Sequence, residues 1–132
     1  MLRSLLFSLL LVGTGAASAT ETDPELRTAL RQAASEAPSF VDRFDAEVWL
    51  ADMSGRFASS QLPDAEERAE TLKLVHMEAA RVGLPPNLIL AVIEVESNFD
   101  RYAISVAGAR GLMQIMPFWK EEIGRPGDNL LH

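Results

Sequence analysis

Apolar residues recur at helical rather than strand spacing along most of this 132-residue chain, and five segments follow from that spacing. Residues 20–37 place Pro24 for a helix start but offer only a thin stripe of Leu26, Leu30, Ala33 and Ala34, a marginal helix. Pro38 and Ser39 interrupt it, and residues 40–57 then carry Val41, Phe44, Val48, Trp49, Met53 and Phe57 close to the i, i+3, i+4, i+7 pattern of an amphipathic helix that needs a covering partner. Trp49, inside that stripe, reads as core rather than as a stacking platform for a ligand. The clearest boundary is Asp64, which with Glu67 three residues later forms a capping box. The helix it opens, 64–82, shows Ala65, Ala69, Leu72, Val75, Ala79 and Val82 on one side and ends at Gly83, where a left-handed residue belongs. His76 lies on that same side and reads as a packing residue, because no second ligand stands at a metal spacing. Pro85 and Pro86 open a fourth helix over 87–99, and Pro117 to Gly124 reads as a short fifth. The fold class expected is all-α, mainly helical.

The fourth helix is strongly apolar yet holds two glutamates, and a projection at about 100° per residue separates them. Ala91, Val95, Leu88, Phe99, Val92, Ile89 and Ile93 form a continuous apolar arc, and Glu96 falls inside it between Val92 and Ile89. Glu94 falls with Asn87, Ser97 and Asn98 on the polar side, where a solvated carboxylate is cheap. A carboxyl held against apolar side chains has its charged form disfavoured and can stay protonated near neutral pH as a general acid. Glu96 is therefore the candidate acid; the structural alternative is a carboxylate paired with an arginine.

Composition narrows the class. With 48% apolar and 23% charged residues the chain suits one globular domain rather than a disordered or fibrous one. Residues 1–19 read as an export signal: Arg3 starts it, Leu5 to Val12 is its apolar core, and Ala17-Ser18-Ala19 is the cleavage pattern. No cysteine is present, so neither a disulfide nor an N-terminal lipidated cysteine is expected, and the expected location is the periplasm or the extracellular space, with no integral membrane segment after cleavage. The formal net charge of −7 argues against nucleic acid as a partner. The acid is uneven: residues 20–80 hold 13 acidic and 6 basic side chains, residues 81–132 hold 6 and 5. The nearly neutral second part suits a sugar ligand, whereas the acidic 20–57 region is a candidate docking surface for another envelope protein. The acidic clusters lack the glycine and alternating oxygens of a calcium loop, and no metal or cofactor is expected.

After the fourth helix, Asp100 serves as a polar end residue, and Ser105 to Gly111 forms a loop whose Gly108 and Gly111 permit positive φ or a close backbone approach. Glu96-Ser97, Phe99, Ala103, Ser105, Gly108-Ala109, Gly111-Leu112-Met113-Gln114 and Pro117 then complete a dense pattern. It resembles the soluble lytic transglycosylase family over about 81–129. The resemblance implies the N-terminal half of a lysozyme-like domain over 64–132, preceded by an acidic helical extension over 20–63, with the remainder of that domain beyond His132. It also implies action on the glycan strands of peptidoglycan, with Glu96 as single acid and base and a 1,6-anhydro sugar as product. Ser97, Ser105, Met113 and Gln114 would contact substrate; local capping of loop amides is the alternative for Ser105 and Gln114. The competing functions are a hydrolytic muramidase and a non-catalytic murein-binding or scaffold protein.

Overall fold

A computed structural model describes residues 23–57, 62–125 and 127–131. The export signal assigned to 1–19 lies outside them. The chain is all-α, as its spacing predicts: α1 (Pro24–Ser35), α2 (Arg43–Arg56), α3 (Ala65–Arg81), α4 (Pro86–Ser97) and a short α5 (Phe118–Glu122). Among the described residues, extended pairing is limited to isolated bridges in the loop before α5.

Local chemistry sets the helix ends. The Asp64 carboxylate accepts from the Glu67 amide at 2.7 Å, which caps α3, but the return half of the box is not made. Glu67 turns outward to Arg101 instead, at 3.0 Å. At the other end Val82 is the C-cap and Gly83 is left-handed at φ 70°. The Leu84 amide reaches the Ala79 carbonyl at 2.9 Å and the Gly83 amide the Ala80 carbonyl at 3.2 Å, the paired closure of a Schellman motif. Asp23 and Asp42 cap α1 and α2 in the same way.

Helix α3 is the axis of the packing: α1, α2 and α4 all lie against it, and α1 also lies against α2. One cluster runs through all four, with Leu30 from α1, Leu50 and Met53 from α2, Leu72 and Val75 from α3, and Leu90 and Ile93 from α4. The stripe that α2 buries is Ala46, Leu50, Met53 and Ser54, with Phe57 just past the helix end. This corrects the expected face, since Val41, Phe44 and Val48 are exposed. Small Ala46 lets the α2 backbone approach its neighbours, and the face that meets them is decided by that approach, not by the bulkiest side chains.

Two polar links cross this core. Lys73, 11% exposed at its side chain, pairs with Glu70 at 2.6 Å on its own helix and with Glu36 at 3.2 Å at the end of α1. The Glu70 hydrogen bond is the main reason its ammonium is held above the usual lysine value. His76 stacks on Phe40 with centroids 3.6 Å apart, meets Trp49 edge-on at 4.8 Å, and shares a 2.8 Å hydrogen bond with the Ser39 hydroxyl. His76 and Trp49 are packing residues that pin the α1–α2 connection onto α3.

Candidate functional site

Helix α4 brings Glu96 to the end of the core. Among the helices of the described residues it packs on α3 alone, and it buries Leu90 and Ile93 while Ile89 and Val92 are half-covered. Leu88, Ala91 and Val95 are exposed, Val95 by 84%, and so is Glu96. The expected burial of Glu96 is therefore corrected. A helix with one neighbour hides only a narrow stripe, and Glu96 stands at the edge of the open part of its apolar arc.

The chain then reverses within a few residues. Asn98 and Phe99 are both left-handed, at φ 49° and 63°. Such a conformation costs a bulky L-residue about 1–2 kcal/mol, and here burial of the Phe99 ring offsets it. Phe99 is 2% exposed and packs on Phe57 with centroids 4.5 Å apart. The Asp100 carboxylate accepts from the Tyr102 amide at 2.8 Å, so Asp100 serves the turn. Ser97 donates its hydroxyl hydrogen to the Ile93 carbonyl one turn back, at 3.1 Å.

The following loop is closed by its own polar atoms. The Ser105 hydroxyl accepts from the Ala109 amide at 3.0 Å, and the Gly108 amide reaches the Ser105 carbonyl at 2.9 Å. Gln114, itself left-handed at φ 47°, donates its side-chain amide to the Ala103 and Gly111 carbonyls at 3.1 and 2.9 Å, clamping the two ends together. Arg110 and Ile115 exchange a pair of backbone hydrogen bonds at 3.0 Å. Ser105 thus caps a loop amide, its alternative reading, whereas Gln114 satisfies loop carbonyls rather than amides, and the Gln114 carbonyl oxygen and the Ser105 hydroxyl hydrogen are what they have left for a ligand. Gly108 and Gly111 both have positive φ. At Gly111 a Cβ would lie 1.9 Å from the Leu130 carbonyl oxygen, so the close approach there is made by the chain itself.

Four depressions surround these elements. One of about 480 Å³ is lined by Ser97, Asn98, Phe99, Asp100, Arg101 and Tyr102 among others. A second, 220 Å³, holds Met113 with Arg101, Arg110, Leu112 and Ile115. A third, 740 Å³, lies against α5 and includes Arg110, Lys120, Glu121 and Asp128. The last, 370 Å³, is an acidic trough between α1 and α3 with Glu36, Asp64, Glu66, Glu67 and Glu70. Glu96 lines none of the four. The sequence reading missed Arg101, whose guanidinium joins Glu67 of α3 to the loop and lies 5.8 Å from the Tyr102 ring. A pair 34 residues apart leaves no periodic trace in a sequence.

Comparison with known proteins shows what the second part of the chain is similar to. Residues 73–130, which span α4, the turn and the loop, match the model described as Transglycosylase SLT domain. This segment is similar to the SLT transglycosylase family. The membrane-bound lytic murein transglycosylase C of Actinobacillus pleuropneumoniae serotype 5b is 54% identical over 46 residues, 35% of this chain and 13% of that protein. Proteins of the same name from Haemophilus ducreyi and Mannheimia succiniciproducens are 50% and 48% identical over 46 residues, again 35% of this chain and 12% and 13% of their own lengths. The chain thus spans about an eighth of the relatives it matches. No solved structure matches. The relatives' name also corrects the expected location: they are membrane-bound, not free in the periplasm or the medium. That expectation rested on the leader assigned to 1–19 and on the lack of cysteine. No helix among the described residues is long and apolar enough to cross a membrane.

Proposed function

We propose that this chain carries the acid-bearing part of a peptidoglycan lytic transglycosylase. The observation that carries the reading is the SLT match over 73–130, which contains Glu96 at the α4 terminus and the Gln114-clamped loop after it. Glu96 protonates the glycosidic oxygen between N-acetylmuramic acid and N-acetylglucosamine, and the bond to the muramyl C1 breaks. The Glu96 carboxylate then takes the proton of the muramyl C6 hydroxyl as that oxygen closes on C1, giving the 1,6-anhydro ring and restoring the acid. One carboxyl completes the cycle, unlike the pair used by hydrolysing glycosidases. Ser97, Ser105, Met113 and Gln114 bind the sugars around it, with Gly108 and Gly111 shaping the loop. Lytic work belongs to 64–132 and structural support to 20–63, whose helices share the core. As the relatives' name indicates, the setting is a membrane surface.

Digestion of purified murein tests this directly. Mass spectrometry is expected to find 1,6-anhydromuropeptides, and Glu96→Gln is expected to lower their yield by at least about a hundredfold, the lower end of a general acid's contribution. Reducing-end products would instead mark a hydrolytic muramidase. Retention on murein without any product would mark a binding protein, the reading favoured by the absence of Glu96 from every depression described above.

A further inference from the structure

Helix α2 has two apolar faces, and the core uses one. Ala46, Leu50 and Met53 are buried, and α1 and α3 are the helices that α2 meets among the described residues. On the opposite side Phe44, Val48, Ala51 and Gly55 are all exposed, Phe44 by 73% and Val48 by 54%, and Val41 stands exposed just ahead of the helix. Their spacing of four, three and four residues is that of a seam between two helices. The seam tapers along its length. A Cβ at Gly55 would meet nothing within 4 Å, so the end of α2 is open to a close backbone approach.

Charge selects what fits this seam. At about 100° per residue, Asp45 and Asp52 border it on one side and Glu47 on the other. Arg43 and Arg56 stand farther round and are paired with Glu47 at 2.9 Å and with Asp52 at 3.0 Å, while Asp45 has no ion pair among the described residues. A second copy of this chain would set acid against acid in either orientation: antiparallel α2 helices bring each flank onto its own kind, and parallel ones bring Asp45 and Asp52 onto Glu47. An anionic lipid surface meets the same repulsion, within a segment, 20–80, of 13 acidic and 6 basic side chains. A helix with cations beside its apolar positions is attracted along both flanks. We propose that the exposed face of α2 docks a basic amphipathic helix of another protein, with large apolar residues opposite Ala51 and Gly55 and lysines or arginines opposite Asp45, Glu47 and Asp52. The 14 residues of α2 rise about 21 Å, so about three heptads of the partner cover them. The surface lies outside the SLT match over 73–130 and stands apart from the proposed catalysis.

The test uses the 132-residue chain and a synthetic helical peptide of about three heptads, with leucine at the seam positions and lysine beside them, and a twin with glutamate in place of every lysine. Binding is followed by fluorescence anisotropy and by amide chemical shifts. The lysine peptide is expected to shift the amides of Phe44, Val48, Ala51 and Gly55 and to leave those of α4 unmoved. The glutamate twin, and the lysine peptide on Phe44→Ser, are each expected to bind at least about tenfold more weakly. Asp45→Lys combined with Asp52→Lys is expected to weaken the lysine peptide about fivefold. All three positions are exposed, so circular dichroism should show the same helix content in every variant. No binding of the lysine peptide, equal binding of the two peptides, an unaffected Phe44→Ser chain or shifts centred on α4 each overturns the proposal. A dimer of the chain that Phe44→Ser dissociates in sedimentation would assign the face to a second copy and overturn it too, as would retention on phosphatidylglycerol vesicles that Phe44→Ser abolishes, which assigns the face to lipid.

Discussion

The exposure of one side of α4 gives the sharpest stability prediction, because two apolar residues two positions apart should respond very differently. Ile93 is 2% exposed and Val95 84% exposed, although both belong to the same apolar arc of the sequence. Ile93→Ala removes three buried carbons, about 2.4 kcal/mol of transfer free energy at ~0.8 each. With the cavity left behind, the expected loss is about 3–4 kcal/mol. Val95→Ala removes two carbons, ~1.6 kcal/mol if buried, but only about a sixth of that area is covered, so roughly 0.3 kcal/mol is lost. The better helix propensity of alanine returns about 0.5 kcal/mol, and the net change is within ~0.5 kcal/mol of zero. Urea unfolding followed by circular dichroism measures both, with an unchanged slope as the sign that the denatured state is not what moved. A loss above about 1.5 kcal/mol for Val95→Ala would show that this face is covered in solution and refute the reasoning.

Two further changes probe the elements around α4. Burial holds the His76 imidazole below its ordinary 6.5, so the unfolded chain takes up the proton first as pH falls; this share of stability is present above about pH 6.5 and is lost as pH falls through the lower folded value. Urea midpoints between about pH 8 and 5 should fall more in the parent chain than in His76→Phe, and parallel profiles would count against it. Gly111→Ala combines a left-handed φ of 72° with a Cβ only 1.9 Å from the Leu130 oxygen, so it should cost at least about 1–2 kcal/mol in urea unfolding and shift the amides of 129–131.

The helices were legible in the sequence wherever a local signal marked their ends. Asp64, Gly83, Pro24 and the Pro85-Pro86 pair act through neighbouring backbone atoms, so the boundaries of α1, α3 and α4 fell within a few residues of expectation. Which face each helix buries was less legible. In α2 the periodic large residues Phe44 and Val48, like Val41 just before the helix, are exposed, and Ala46 and Leu50 are buried instead. Packing depends on how closely two backbones approach, and that is a property of the pair rather than of either sequence. The loop residues carrying the family pattern were legible as a set, but not the bonds they make. Gln114 fastens Ala103 to Gly111 through their carbonyls, and Glu67 leaves its expected cap because Arg101, 34 residues away, competes with the local partner.

The same distinction bears on how Glu96 works. The sequence argument placed it against apolar side chains of its own helix, yet its flanking Val92 and Ile89 are only half-covered, and Leu88 and Val95 farther along the arc are exposed. An apolar neighbour disfavours a charged carboxyl only where water is excluded from both. On the proposed function the missing cover is supplied by the substrate: a sugar ring laid across Val92 and Val95 expels water from the carboxyl and from the apolar arc in one step. On that proposal the carboxyl leaves bulk water at the moment the glycosidic oxygen stands beside it. On the proposed function, a single exposed glutamate at the edge of an apolar face thus has surroundings that change with what is bound.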